Sequence, residues 1–185
     1  MSKFDRNFFS RPASEVARDL LGKRLVHRLL KAGEVADTIV EVEAYLPEGD
    51  AAAHVYRGPT PRTRVLYGQA GHAYLYLNYG LHWMLNIAAD REGVPGCVLL
   101  RGTRRFRGPG LLTKGFGLDG SHYGLDLTRS PLWVEEGESE GEDEGEEVLV
   151  TPRIGITKAA ELPLRFVWAS YESKRRPGKS RLPAG

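Results

Sequence analysis

Apolar and polar positions alternate in short runs over most of the chain, and only near the start do they fall at helical spacing. There, Val16, Leu20 and Leu21 recur at that spacing behind Ser10-Arg-Pro-Ala-Ser-Glu15, which offers a cap and an early proline. Gly22 supplies a stop, so the pattern predicts a helix ending at this glycine. A strand is expected from about Lys23 to Leu30, a turn at Lys31-Ala-Gly-Glu34 and a returning strand from about Ala36 to Leu46. Pro47 to Gly71 is irregular and rich in Gly, Pro and Arg, as a binding loop on a rigid sheet would be. Alternation resumes from His72 to Ile87, with Tyr74, Tyr76 and Asn78 on one face and Leu75, Leu77 and Tyr79 on the other. Asn78-Tyr79-Gly80 interrupts it with turn chemistry, which places Tyr79 at a hairpin tip. Val98–Arg101, Arg153–Ile156 and Leu164–Trp168 read as further strands. Few helices separate these strands, so the sheet is expected to be mostly antiparallel and the class α+β.

One strand departs from what a core element requires. In Ile39-Val-Glu-Val-Glu-Ala-Tyr45, Glu41, Glu43 and Tyr45 share one face, while Val40, Val42, Ala44 and Leu46 share the other. A carboxylate buried without a partner is strongly unfavourable, so two on one strand are solvated, paired or used. Taken alone, the segment fits an edge strand with a wet face, a structural ion pair, or carboxylates that bind or transform a substrate. Tyr79 poses a similar choice. A ring on an exposed tip between basic loops either meets a flat partner such as a base step or folds back onto the core.

Composition narrows the setting. At 185 residues the chain fits one domain able to build its own core. No run approaches the roughly 18 apolar residues of a membrane span, and Met1-Ser-Lys-Phe-Asp-Arg6 lacks a signal peptide's apolar centre. A soluble cytoplasmic protein is expected, nucleoid-associated if bacterial. Cys97, the single cysteine, reads as a small buried residue at the start of a strand. The formal charge of +2 hides an asymmetry: nine of the 24 acids lie between Glu135 and Glu147 with no base among them, leaving 15 acids against 26 bases elsewhere. Such a basic body suits a polyanion, although solubilising charge gives the same balance. The acidic run is too polar and repulsive to pack. It is expected to be a solvated insertion, residues 135–147, within a domain spanning residues 1–173, and residues 174–185 to form a basic flexible tail.

Taken in order, Leu20-Leu-Gly-Lys-Arg-Leu25, Ile39-Val-Glu-Val-Glu-Ala-Tyr45, Ala53-His54, Thr60-Pro-Arg62 and Tyr74-Leu-Tyr-Leu-Asn-Tyr-Gly80 are followed by Asn86-Ile87, Cys97-Val-Leu-Leu-Arg101, Gly108-Pro-Gly110 and Leu164-Arg-Phe166. This series resembles the alkyladenine (3-methyladenine) DNA glycosylases over nearly the whole chain. Each piece alone is unspecific; their ordered agreement is specific.

The resemblance implies one α+β domain built on a curved, mostly antiparallel sheet, with flanking helices and a protruding hairpin. It also implies a monomer that acts in base excision repair without a cofactor, on double-stranded DNA containing damaged purines. Such an enzyme flips 3-methyladenine, with 7-methylguanine, hypoxanthine and ethenoadenine as further candidates, out of the duplex and hydrolyses the N-glycosidic bond to leave an abasic site. Glu43 matches the family's general base for the attacking water, and Arg101 a cation beside it that would keep Glu43 ionised and oriented. Tyr45, His54 and Tyr76 match the aromatic base pocket. Asn86 matches a residue that crowds the guanine 2-amino group, and the backbone N–H at His54 matches a donor toward purine position 6. Tyr79 matches the intercalating wedge, and Arg62 and Arg64 are placed to hold flanking phosphates. Glu41 does not match the catalytic position and reads as an acid that supports the catalytic group from behind or as a structural acid. The acidic insertion, the stretch Leu111–Gly117 and His82-Trp83 depart from the family pattern.

The block from Ile39 to Arg101 contains no lysine, so the Schiff-base route to strand cleavage is not expected there. His27, His54, His72, His82 and His122 lack ligand spacing, and no metal is expected. Two rival readings remain open on the residues: a catalytically inert nucleic-acid-binding module, and a carbohydrate-active hydrolase using Glu41 and Glu43 as an acid–base pair. The second suffers because residues at i and i+2 sit side by side, whereas paired glycosidic carboxylates flank the bond.

Overall fold

A computed structural model of the chain describes residues 2–29, 33–137 and 145–175. Two short helices, α1 (Arg6–Phe9) and α2 (Ala13–Leu20), lead into a hairpin of β1 (Arg24–Leu29) and the long strand β2 (Gly33–Tyr45). After an irregular stretch holding one 3-10 turn (Arg64–Tyr67), β3 (Ala73–Asn78) and β4 (His82–Ala89) form a second hairpin, followed by β5 (Gly96–Thr103). The remaining elements are α3 (Pro109–Gly115), a second 3-10 turn (Gly120–His122), β6 (Leu132–Glu135), β7 (Val148–Thr151), β8 (Arg165–Trp168) and α4 (Ala169–Arg175).

Every pairing is antiparallel. The strand order is β3-β4-β5-β2-β1-β6, with β8 also bonded to β2 and β7 to β8. One edge of β2 carries β1 along residues 33–38 and β8 along residues 41–43, while the other edge carries β5 from Ile39 to Tyr45. A strand that changes partner midway lets the sheet curl, and the α+β class with its curved sheet and protruding hairpin is what forms.

Side chains alternate between two apolar clusters. Ala73, Leu75, Ile87, Ala89 and Val98 join α2 residues Val16 and Leu20 in the larger one, whereas Tyr74, Ala88 and Cys97 join Ala53, Val55 and Leu66 in the smaller. Sequence neighbours on a strand face opposite ways, so the two clusters cover opposite faces of the sheet. The smaller cluster underlies the site.

Several sequence expectations are corrected. Ser10 does not cap α2; its hydroxyl donates to the Arg6 carbonyl and closes α1. The first N–H of α2, from Ala13, is instead accepted by Asp90, a partner 77 residues away that local reading cannot supply. Arg153–Ile156 is not a strand, because Pro152 has no N–H for a ladder, Gly155 takes a left-handed φ of 76° and Arg153 turns inward. The acidic run does not begin as a solvated loop. Glu135 ends β6, buried, and accepts from the Trp133 indole at 2.8 Å, and Glu136 pairs with Lys23. Glu147 is tied by its carbonyl to the Ala169 N–H at 2.9 Å. Residues 138–144, the centre of that insertion, lie outside the described residues. So do residues 176–185 of the expected tail, whose first two residues, Lys174 and Arg175, belong to α4 instead.

Candidate active site

The carboxylate face of β2 is buried, so the wet-edge reading of Glu41 and Glu43 does not hold. Two register shifts bring this about. Ile39 faces Thr103 and Glu41 faces Gly102, which leaves Val40 as an extra residue on β2; Val42 then faces Leu100, which leaves Arg101 as an extra residue on β5. Such bulges re-aim side chains, and here Arg101 is turned between the two acids. Its Nε donates to Glu41 at 3.1 Å and its Nη1 lies 3.3 Å from Glu43. Glu41 also accepts from Arg165 Nε at 2.7 Å, and Arg165 reaches on to Glu172 at 2.6 Å. Glu41 is therefore the hub of a buried ion network between β2, β5, β8 and α4, which agrees with its reading as a structural acid.

Glu43 has no exposed surface. Its Oε1 accepts from the Ile154 N–H at 2.8 Å and faces Arg101, and its Oε2 accepts from the Tyr45 hydroxyl at 3.0 Å. Burial lifts the carboxyl above the ordinary carboxylate range; Arg101, the Ile154 N–H and Tyr45 pull the other way without cancelling it. Arg101 acts in the expected direction, favouring the ionised carboxylate, while desolvation is the larger influence and leaves the group easier to protonate than a free carboxyl.

In front of Tyr45 lies a cavity of about 160 Å³, lined by Tyr45, Ala52, His54, Tyr76, Asn78, Asn86, Cys97, Gly155 and Ile156. Glu43 stands behind the Tyr45 hydroxyl rather than on the wall itself. The cavity thus gathers all four residues expected in the base pocket. His54 Nδ1 pairs with the Tyr74 hydroxyl at 2.8 Å, and its ring meets Tyr76 edge to face at 4.5 Å. Burial, helped by Arg62, pushes the imidazole pKa down to about 4, so His54 is neutral at pH 7. Burial pushes the Tyr76 phenol up to about 12 and the Cys97 thiol likewise to about 12, so both keep their protons. Asn86 is buried, with its Nδ2 donating to the Tyr74 and Met84 carbonyls at 3.2 and 3.4 Å. The walls are aromatic and neutral, suited to a flat, uncharged or electron-poor ring system.

Sequence reading missed the residues that hold this wall in place. Asp50 and Arg153, both fully buried, form a bidentate pair at 2.5 and 2.7 Å, and Arg153 also donates to the Ala44 carbonyl at 3.0 Å. Burial acts to raise the Asp50 pKa, but Arg153 and the N–H groups of Leu46 and Ala52 hold it below the ordinary range. The Arg153 guanidinium lies 4.5 Å from the Tyr45 ring centre, and the next residue supplies the N–H that orients Glu43. The pair therefore ties the end of β2, the loop before His54 and the 153–156 segment into one frame. Tyr74, the hydrogen-bond partner of His54, was also unassigned, although its face-sharing with Tyr76 was legible in the alternation.

Tyr79 stands at the tip of the β3–β4 hairpin, 90% exposed, in a left-handed conformation with φ of 48°. It has not folded back onto the core. Arg62 and Arg64 are both exposed, on the stretch that enters the 3-10 turn. The Arg62 guanidinium lies 5.7 Å from the Tyr76 ring centre, and its carbonyl accepts from Tyr123. Among the described residues, no group of three His, Cys, Asp or Glu side chains is placed to hold a metal ion.

The sequence pattern of the methylpurine-DNA glycosylase family matches residues 7–106 and 103–172. A protein from Methanoculleus marisnigri, named "Putative 3-methyladenine DNA glycosylase", is 44% identical, covering 91% of this chain and 97% of its own length. Proteins of the same name from Chlorobaculum tepidum and Methanocella arvoryzae are 38% and 39% identical. Each covers 96% of this chain, with 94% and 99% of their own lengths aligned.

Proposed function

The chain belongs to the methylpurine-DNA glycosylase family, hydrolases that cleave N-glycosyl bonds in DNA, and from that premise we propose a monofunctional, monomeric base-excision enzyme. It extrudes 3-methyladenine, and by the same pocket 7-methylguanine, hypoxanthine or ethenoadenine, from double-stranded DNA and leaves an abasic site. The observation that carries this reading is the buried carboxylate of Glu43, one tyrosine hydroxyl behind a cavity walled by three rings.

A base within a duplex is out of reach of such a cavity, so its nucleotide must unstack, at a cost of a few kcal/mol. Tyr79 fills the gap, and Arg62 and Arg64 hold neighbouring phosphates without choosing sequence. The extruded purine stacks among Tyr45, His54 and Tyr76. Stacking tolerates varied lesions, so discrimination falls to edges: the His54 backbone N–H favours an acceptor at purine position 6, and Asn86 crowds a 2-amino group.

Hydrolysis then needs a water activated at C1′. Ionised Glu43 takes a proton from that water as positive charge develops on the sugar; the water oxygen bonds to C1′, and the glycosidic electron pair leaves with the purine. Arg101 and the Ile154 N–H fix Oε1, so Oε2 is the oxygen that serves as base, once Tyr45 shares or yields its bond. With no lysine from Ile39 to Arg101, the reaction ends at the abasic site.

The complete burial of Glu43 favours a second reading, a binding module that recognises lesions and releases nothing. One assay separates the two. The protein is incubated with a duplex containing hypoxanthine or 3-methyladenine and then treated with alkali; strand scission at the lesion is expected. Lesion-selective binding with an intact strand would establish the silent module instead, and scission before alkali with a borohydride-trapped adduct would overturn the monofunctional assignment.

A further inference from the structure

Asn78, the last residue of β3, lines the cavity together with Tyr45, His54, Tyr76 and Asn86. A carboxamide offers two N–H donors and one acceptor oxygen. Among the described residues, that of Asn78 makes no hydrogen bond; its backbone faces His82 in the β3–β4 ladder and accepts from the Leu81 N–H at 3.0 Å.

The ordinary reasons for an asparagine here do not apply. Asparagine suits turns because it tolerates the left-handed region or bonds its own backbone two residues on. In this turn the positive φ values fall on Tyr79 and Gly80, and the Asn78 side chain closes no such bond. Asparagine is also disfavoured in strands, so neither the turn nor the ladder calls for this residue.

Its position suggests what it meets. Same-face residues two apart on a strand are separated by roughly 6.5–7 Å, so Asn78 sits that far beyond Tyr76 toward the tip, next to Tyr79. A base stacked on Tyr76 remains joined to a duplex occupied by Tyr79, and the covalent link crossing that interval is the deoxyribose and its phosphates. We propose that Asn78 donates from Nδ2 to a phosphate oxygen of the extruded nucleotide and so holds the flipped state whatever the lesion. The proposal rests on the base-flipping reading above and adds a contact that is blind to the base.

The test uses Asn78→Leu, similar in size but without polar atoms, and Asn78→Asp, which places an anion opposite the phosphate. Binding is measured on duplexes carrying a tetrahydrofuran abasic mimic, hypoxanthine or ethenoadenine, with single-turnover release on the last two. Asn78→Leu is expected to weaken binding about tenfold on all three duplexes, and Asn78→Asp further still. Both variants should keep the wild-type melting temperature, because the side chain is half-exposed. A loss confined to one lesion, with tetrahydrofuran binding intact, would place Asn78 on a base edge and overturn the proposal; unchanged binding on all three would remove the contact altogether. If the wild-type protein itself neither releases bases nor prefers the abasic duplex, the base-flipping reading fails and takes this proposal with it. Wild-type release with unaffected Asn78 variants sinks the proposal alone.

Discussion

The Tyr45 hydroxyl donates a 3.0 Å hydrogen bond to Glu43 Oε2 from the wall of the cavity, so the residue that would stack on a substrate also restrains the acid that would transform it. This bond favours the ionised carboxylate. Tyr45→Phe keeps the ring and removes the bond, and is therefore expected to move the acid limb of kcat/KM to higher pH while leaving base stacking in place. A pH–rate profile on hypoxanthine DNA measures this, and an acid limb that does not move would mean that Tyr45 does not tune Glu43.

The wild-type profile carries its own prediction. Burial raises the Glu43 pKa, so activity should fall off with decreasing pH above the ordinary carboxylate range, and His54, neutral at pH 7, should add no limb near its usual value. The same shift fixes the sign for stability. An acid whose pKa is raised on folding contributes stability that is complete below its unfolded pKa and lost as pH rises through its folded pKa. Glu43→Gln removes that loss, so at neutral pH it should melt no lower than the wild type, with the difference vanishing in acid. A variant clearly less stable at pH 7 would show that the ionised carboxylate supports the fold.

Asp50→Asn leaves the Arg153 cation buried opposite a neutral group. Breaking a buried pair by removing one partner costs about 3–5 kcal/mol, a large share of the roughly 5–15 kcal/mol that holds a typical domain together. Urea unfolding is expected to record a loss in that range, accompanied by slower base release because Ile154 no longer holds Glu43. A loss below about 1 kcal/mol would mean that the pair is not part of the frame.

How much of this was legible in the sequence depended on whether a residue's partner lay nearby. The β3–β4 hairpin with Tyr79 at its tip follows from alternation broken at Asn78-Tyr79-Gly80, all local information. The shared face of Glu41, Glu43 and Tyr45 was equally readable, but its burial was not, because Arg101, Arg165 and Ile154 come from 58, 124 and 111 positions away along the chain. The same distance hid the Asp90 cap on α2 and the Asp50–Arg153 pair. Arg153-Ile-Gly-Ile156 looked like a strand from its apolar residues; Pro152 and Gly155 were local signals against it, and the inward pull of Asp50 on Arg153 was not legible. The short helices α3 and α4 offer too few residues for a helical period to emerge.

Tyr79→Ser should leave the melting temperature unchanged, since the ring is 90% exposed. Loss of stacking against bases is expected to weaken binding to tetrahydrofuran-containing duplex by about tenfold or more. Gel-shift or fluorescence-anisotropy titration measures it, and equal affinity would take the wedge role away from Tyr79.

The most direct measurement is single-turnover base release by Glu43→Gln beside the wild type, with lesion-duplex affinity determined on the same samples. If Glu43 is the base that activates water, release should fall by at least about 100-fold while affinity stays within a few-fold. Release within about tenfold of wild type would contradict the account, because another group would then be taking the proton.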